Sequence, residues 1–123
     1  MFQIIPSKNF GLNLDPSHLY WLGVDYIKAV REFKDRIFHV HAKDTEILKE
    51  ELAKVSIRGR GWWRAAIPGQ GDINWNKFIS TLYQVGYDGT ISIEHEDPVW
   101  SGTLDKVKNG LILGKRHLAP FII

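Results

Sequence analysis

Three short stretches of this chain read as β-strands, and each is followed by a pattern typical of a helix. The stretches cover residues 10–14, 36–41 and 90–94. The second alternates and is rich in Ile, Phe and Val, as half-buried strands are. Asp15 and Pro16 end the first, because proline cannot continue a central strand. Strands that alternate with helices favour an α/β fold with a parallel sheet.

The segments between these strands predict four helices. Apolar residues recur at helical spacing within residues 25–34. Thr45 is predicted as the N-cap of a second helix that continues through Leu52, and Asn74 as the N-cap of a third that ends near Gly86. A last helix is expected over about residues 101–118. Residues 45–72 form the longest connection, and connections of this length tend to be functional.

Composition excludes several classes of protein. The chain has 16 basic and 14 acidic residues and a net charge of +2, which is too balanced to favour nucleic acid or a membrane surface as partner. It has no cysteine, so disulfides and thiolate metal sites are excluded. No apolar run approaches the roughly 20 residues of a membrane span, and nothing resembles a signal peptide, so we expect a cytoplasmic location.

The strand ends carry candidate metal ligands. Asp15, His41 and Glu94 each lie at the carboxyl end of a predicted strand. In a parallel α/β fold these ends open onto one face, where sites are built. Two carboxylates and an imidazole suit Mn²⁺, Co²⁺, Mg²⁺ or Zn²⁺. Each residue also has a simpler interpretation. Asp15 fits a turn aspartate before proline, His41 a buried histidine with a satisfied hydrogen bond, and Glu94 part of a solvated acidic rim.

Four strings of the sequence carry a family resemblance. They are NFGLNLDPSHLYW, IFHVHAKD, IPGQGDINW and GYDGTISIEHED. In order, spacing and letters they resemble the C-terminal part of the xylose-isomerase-like TIM barrels, the sugar phosphate isomerase/epimerase group. The resemblance implies a partial (β/α)8 barrel of roughly the last three βα units. Residues 1–123 would then be a single C-terminal portion without the N-terminal strands, since a whole barrel needs about 250 residues.

The resemblance also implies roles for particular residues. In the Asp-x-x-His pattern, Asp15 would bind the metal and His18 would contact a substrate oxygen. In the His-x-Lys-Asp pattern, His41 rather than His39 would be the metal ligand. Glu94 would be both a metal ligand and the catalytic proton carrier.

Two further residues have expected roles. Arg64, four residues before Pro68 in the long connection, is expected to grip a phosphate or carbonyl oxygen of the substrate. Asp44 is expected either to orient the histidine or a metal-bound water, or to favour a helix N-terminus by its charge.

The activity implied by the resemblance is divalent-metal-dependent isomerisation or epimerisation of a sugar or sugar phosphate, by proton transfer through a metal-bound cis-enediolate. A second acid–base glutamate, expected from an earlier strand, has no counterpart here. We therefore expect the isolated chain to be an inactive fragment, completed by homo-oligomerisation or by another barrel half.

Three other functions compete with this one. They are a non-catalytic metal-binding or oligomerising fragment, a keto-inositol dehydratase-type lyase, and an apurinic endonuclease. Residues 45–72 contain no histidine, which disfavours the endonuclease because its further metal ligands would be missing.

Overall fold

A three-stranded parallel sheet organises the protein, whose computed structural model describes residues 2–123. Strands β1 (Leu12–Leu14), β2 (Ile37–Ala42) and β5 (Ile91–Ile93) lie in the order β1-β2-β5. Leu14 pairs with Val40, and Val40 pairs with Ile91, so the carboxyl ends of the strands are aligned. The predicted α/β fold with parallel strands is confirmed.

Five α-helices accompany the strands in residues 2–123. They are α1 (Pro16–Trp21), α2 (Tyr26–Glu32), α3 (Lys49–Val55), α4 (Trp75–Gln84) and α5 (Leu104–Leu118). The Asn74 side chain accepts a hydrogen bond from the Lys77 N–H at 3.0 Å and caps α4, as predicted. Gly86 follows α4 at φ 81°, a conformation that glycine adopts without strain.

The apolar core lies where α2 and α4 pack against the sheet. Its buried members include Val40 from β2, Val30 from α2, and Phe78 and Leu82 from α4, with Leu118 added from α5. The helical spacing of apolar residues produces this arrangement, because it gives each helix one apolar face. Over residues 2–123, every helix is too short or too polar to cross a membrane.

The prediction that a helix begins at Thr45 is wrong. Residues Asp44–Ile47 form strand β3, which pairs antiparallel with β4 (Trp63–Ala66) in a small second sheet. Thr45 is fully buried, and its hydroxyl donates to the Arg64 carbonyl at 3.0 Å. The helix α3 begins only at Lys49. Pairing with β4, about 20 residues further along the chain, overrides the local capping signal.

Candidate metal centre

The structure brings Asp15, His41 and Glu94 together at the carboxyl edge of the parallel sheet. One ligand atom from each lies within 4.8 Å of the others. Asp15 directly follows β1, His41 lies near the end of β2, and Glu94 directly follows β5. The aligned strands therefore place three residues that are far apart in sequence in one cluster, as the sequence predicts.

Asp15 holds its place through helix α1. As the N-cap, its Oδ1 accepts hydrogen bonds from the Ser17 N–H at 2.8 Å and the Ser17 hydroxyl at 2.7 Å. Its Oδ2 is buried and, within the part of the chain that the structure describes, accepts no well-aligned hydrogen bond. That oxygen lies 3.5 Å from His18 Nε2. A buried carboxylate oxygen without an aligned hydrogen bond needs a cationic partner, and the Lys43 ammonium lies 3.3 Å from it.

His41 and Glu94 are in direct contact. His41 Nδ1 lies 3.1 Å from Glu94 Oε2, and His41 Nε2 lies 3.0 Å from the Asn13 amide nitrogen. Burial raises the pKa of Glu94, but hydrogen bonding and charge from Lys43 and His41 lower it more. The net pKa lies below the ordinary value, so Glu94 is ionised at neutral pH.

Lys43 was not expected to take part in the cluster. Its ammonium lies 2.8 Å from Glu94 Oε2, 2.9 Å from Glu96 Oε2 and 3.3 Å from Asp15 Oδ2, and the residue is 3% exposed. Burial lowers the pKa of Lys43, but the hydrogen bonds to Glu94 and Glu96 and the charge of Asp15 raise it above the ordinary value. The available signal was the spacing from His41, since residues two apart on an extended chain share a side.

Arg64 and His18 occupy different surroundings. His18 has a half-exposed side chain beside Asp15 and 3.2 Å from the Lys43 ammonium. The Arg64 guanidinium instead donates to Glu46 Oε2 at 2.6 Å and lies 3.4 Å from Asp97 Oδ1. Substrate binding by either residue stays a prediction.

Two stacked tryptophans, Trp63 and Trp21, link the long segment of residues 45–72 to the candidate metal centre. Trp63 of β4 stacks on Trp21 at 4.9 Å between ring centroids, and Trp21 meets the His18 ring edge-on at 6.2 Å. This stack anchors the long connection onto α1.

In the described residues Asp44 makes no hydrogen bond to His41, and the helix predicted to begin beside it is strand β3. Its carboxylate is fully buried and accepts hydrogen bonds from the N–H groups of Thr45, Gly69 and Ile73 and from the indole of Trp75, at 2.8–3.0 Å. Burial raises the pKa of Asp44, and these hydrogen bonds oppose the rise. Neighbouring residues of an extended chain point to opposite sides, so Asp44 faces away from the side that Lys43 occupies.

Comparison with known proteins agrees with this fold. The chain matches the family described as xylose isomerase-like TIM barrel over residues 1–115, and it belongs to that family. A solved xylose isomerase domain protein from Planctomyces limnophilus aligns with a TM-score of 0.75 and 25% identity, over 98% of this chain and 40% of that one.

Curated relatives are similar over part of their length. The uncharacterized protein YfiH of Bacillus subtilis is 41% identical over 97 residues, which are 71% of this chain and 31% of YfiH. An inosose dehydratase of Clostridium perfringens is 30% identical over 101 residues, which are 76% of this chain and 33% of that enzyme. The chain thus spans about a third of the length of the curated relatives it matches.

The residues present fit a divalent ion. Two carboxylates and an imidazole form a donor set that Mn²⁺, Co²⁺, Mg²⁺ and Zn²⁺ accept. Asp15 Oδ2 and Glu94 Oε2 both lie beside the Lys43 ammonium, at 3.3 Å and 2.8 Å, so the two carboxylates already share one cation. Asp15, His41 and Glu94 would hold the ion.

Proposed function

We propose that this chain contributes the ligands Asp15, His41 and Glu94 to a divalent-metal-dependent enzyme that moves a proton next to the carbonyl of a polyhydroxylated substrate. The observation that carries the proposal is the convergence of these three side chains within 4.8 Å at the carboxyl edge of a parallel sheet. In barrels of this architecture that edge is where active sites are built.

Glu94 is the proton carrier in this proposal. Its pKa is held below the ordinary value by Lys43 and His41, so at neutral pH its carboxylate is deprotonated, which is the state that a general base needs. A bound ion would supply Lewis-acid polarisation of the substrate carbonyl. His18 is half-exposed beside the ligands and would donate to a substrate oxygen. Arg64 would bind a more distant anionic or carbonyl oxygen, and to do so it must exchange its contact with Glu46.

Two reactions share this proton transfer. In isomerisation or epimerisation of a sugar or sugar phosphate, the proton taken from carbon returns to the neighbouring carbon or to the opposite face of the same carbon. In dehydration, the adjacent hydroxyl leaves with a proton as water and a carbon–carbon double bond forms. Inosose dehydratases among the relatives, at about 30% identity, favour a keto-inositol as the substrate of this second candidate.

Proton exchange tests the shared step. The protein is loaded with Mn²⁺ and incubated in D₂O with a panel of aldoses, ketoses, their phosphates and inosose, and deuterium entry next to the carbonyl is followed by NMR. Once self-association or another barrel part has completed the site, we expect exchange with at least one substrate and a loss of about 10²–10⁴-fold in Glu94→Gln. The exposed Glu50→Gln serves as the control. Exchange that is equally fast in Glu94→Gln would contradict the role of Glu94.

The products separate the two reactions. An isomerase or epimerase yields a product of unchanged mass, whereas a dehydratase yields a product that has lost one water. Mass spectrometry of the same incubations distinguishes these outcomes. An absence of both products in the Mn²⁺-loaded protein, in every state of association, would instead favour a non-catalytic metal-binding domain.

The edges of the sheet bear on how the site is completed. In the described residues β1 and β5 each pair only with β2, so each leaves one strand edge free. Free edges pair readily with further strands. We therefore expect additional strands to complete the site, from a second copy of this chain or from another part of a barrel. Light scattering coupled to size-exclusion chromatography tests self-association, and a monomer would leave the other barrel part as the source.

A further inference from the structure

A lysine ammonium lies where the proposed metal ligands converge. Lys43 Nζ is 2.8 Å from Glu94 Oε2 and 3.3 Å from Asp15 Oδ2, the oxygen that accepts no aligned hydrogen bond. Ligand oxygens bind Ca²⁺ or Mg²⁺ at about 2.0–2.6 Å. An ammonium at hydrogen-bond distance from the same two oxygens therefore occupies the space that a bound ion would take. It also neutralises the same carboxylate charges.

Glu96 offers this ammonium a third carboxylate. Glu96 Oε2 lies 2.9 Å from Lys43 Nζ, and its side chain is 55% exposed. It is outside the set of three ligand residues that converge within 4.8 Å. Glu94 and Glu96, two residues apart, both reach the Lys43 ammonium and therefore face the same side of the chain.

The charges of this group match a divalent ion. Three carboxylates, from Asp15, Glu94 and Glu96, surround one ammonium, which leaves two net negative charges. A buried lysine is costly to desolvate unless it is paired, so it persists here as the counter-ion of the carboxylates. A divalent cation that joins the group without expelling Lys43 brings the net charge to zero.

We propose that Lys43 is a built-in competitor of the metal ion. In the metal-free protein its ammonium holds Asp15 and Glu94 together, and on metal binding it withdraws to Glu96. The pair formed by Lys43 and Glu96 therefore sets the metal affinity of the site. This inference rests on the proposed function, in which Asp15 and Glu94 are ligands.

Calorimetric titration with Mn²⁺ tests the exchange in four proteins: wild type, Lys43→Met, Glu96→Gln and the double variant. Removing the competitor should tighten Mn²⁺ binding at least about tenfold in Lys43→Met. Removing the alternative partner should weaken binding about tenfold in Glu96→Gln. In the Lys43→Met background the same Glu96→Gln change should alter the Kd for Mn²⁺ by less than about threefold. The Lys43 ammonium with which Glu96 pairs is already absent from that protein.

Controls separate this inference from the metal site itself. Lys54→Met removes an exposed lysine and should leave the Kd unchanged. Lys43→Gln is a second uncharged variant whose amide still donates to carboxylates, and it should also bind more tightly if Lys43→Met does not fold. Glu96 is exposed, so its variant is expected to fold.

Each outcome decides the question. Equal affinity in wild type and the uncharged Lys43 variants would overturn the competition and leave the metal site standing. An equal loss from Glu96→Gln in both backgrounds would also overturn it, because Glu96 would then be a ligand. An absence of Mn²⁺ binding in all four proteins would overturn both proposals.

Discussion

Replacing Asp44 by asparagine should destabilise the protein, because it disturbs a buried carboxylate that holds two segments together. The Asp44 carboxylate is fully buried and accepts four hydrogen bonds. Three donors are backbone N–H groups, including those of Gly69 and Ile73, and the fourth is the Trp75 indole. Through these bonds Asp44 fixes the start of α4 against β3.

The expected magnitude follows from counting donors. An asparagine amide presents one oxygen, which satisfies two of the four donors, and its NH₂ group faces the other two. Hydrogen bonds to charged groups contribute about 1.5–3 kcal/mol each, so two lost bonds cost roughly 3–6 kcal/mol. Relief from burying a charge offsets part of this cost. We therefore expect Asp44→Asn to lower the free energy of unfolding by about 3 kcal/mol, or about 10 °C in Tm.

Urea unfolding followed by tryptophan fluorescence measures this change, with Asp35→Asn as an exposed control. Trp75→Phe removes one of the four donors and should lower the free energy of unfolding by about 2 kcal/mol. The two changes should be less than additive, because they share one hydrogen bond. A loss below about 1 kcal/mol in Asp44→Asn would refute the reasoning that the four bonds hold this segment.

Three further predictions concern the site and its support. In metal-free protein the lowered pKa of Glu94 contributes stability at pH values above the ordinary carboxyl pKa of about 4.3. This contribution is lost as the pH falls through the pKa of Glu94 in the folded state. The difference in unfolding free energy between wild type and Glu94→Gln should therefore shrink below about pH 4, as measured by urea titration. Mn²⁺ at a hundred times its Kd should raise the free energy of unfolding by about 2.7 kcal/mol, and EDTA should reverse the gain in a thermal melt. Gly71→Ala should cost about 1–3 kcal/mol in the same urea assay, because its Cβ would lie 2.5 Å from both Asp44 Oδ1 and the Thr45 carbonyl oxygen. Gly23→Ala, where no atom lies within 4 Å of an added Cβ, is the matched control and should show only the backbone cost of its φ of 74°, about 1–2 kcal/mol.

Local patterns predicted the parts of the fold that depend on local forces. The three parallel strands and helices α2, α4 and α5 follow from apolar periodicity and from caps such as Asn74. The small sheet of β3 and β4 depends on pairing between Thr45 and Ala65, which no short window of sequence contains. The helix predicted from Thr45 failed for that reason: a threonine before a helical pattern fits an N-cap, but burial against β4 decides its conformation.

The candidate site also has a part that residue types predict and a part that depends on the charges of neighbouring side chains. Carboxylate and imidazole side chains at strand ends can be recognised as ligands one at a time, so the cluster of Asp15, His41 and Glu94 was within reach of the sequence. Lys43 was harder to predict, because its spacing from His41 indicates a shared side of the chain but does not show that carboxylates from two other strand ends meet it there. Its position is determined by the electrostatic requirement that converging carboxylates be neutralised by some cation. Carboxylates that converge in this way need a neutralising cation, and in this fold the residue two positions after His41 provides it.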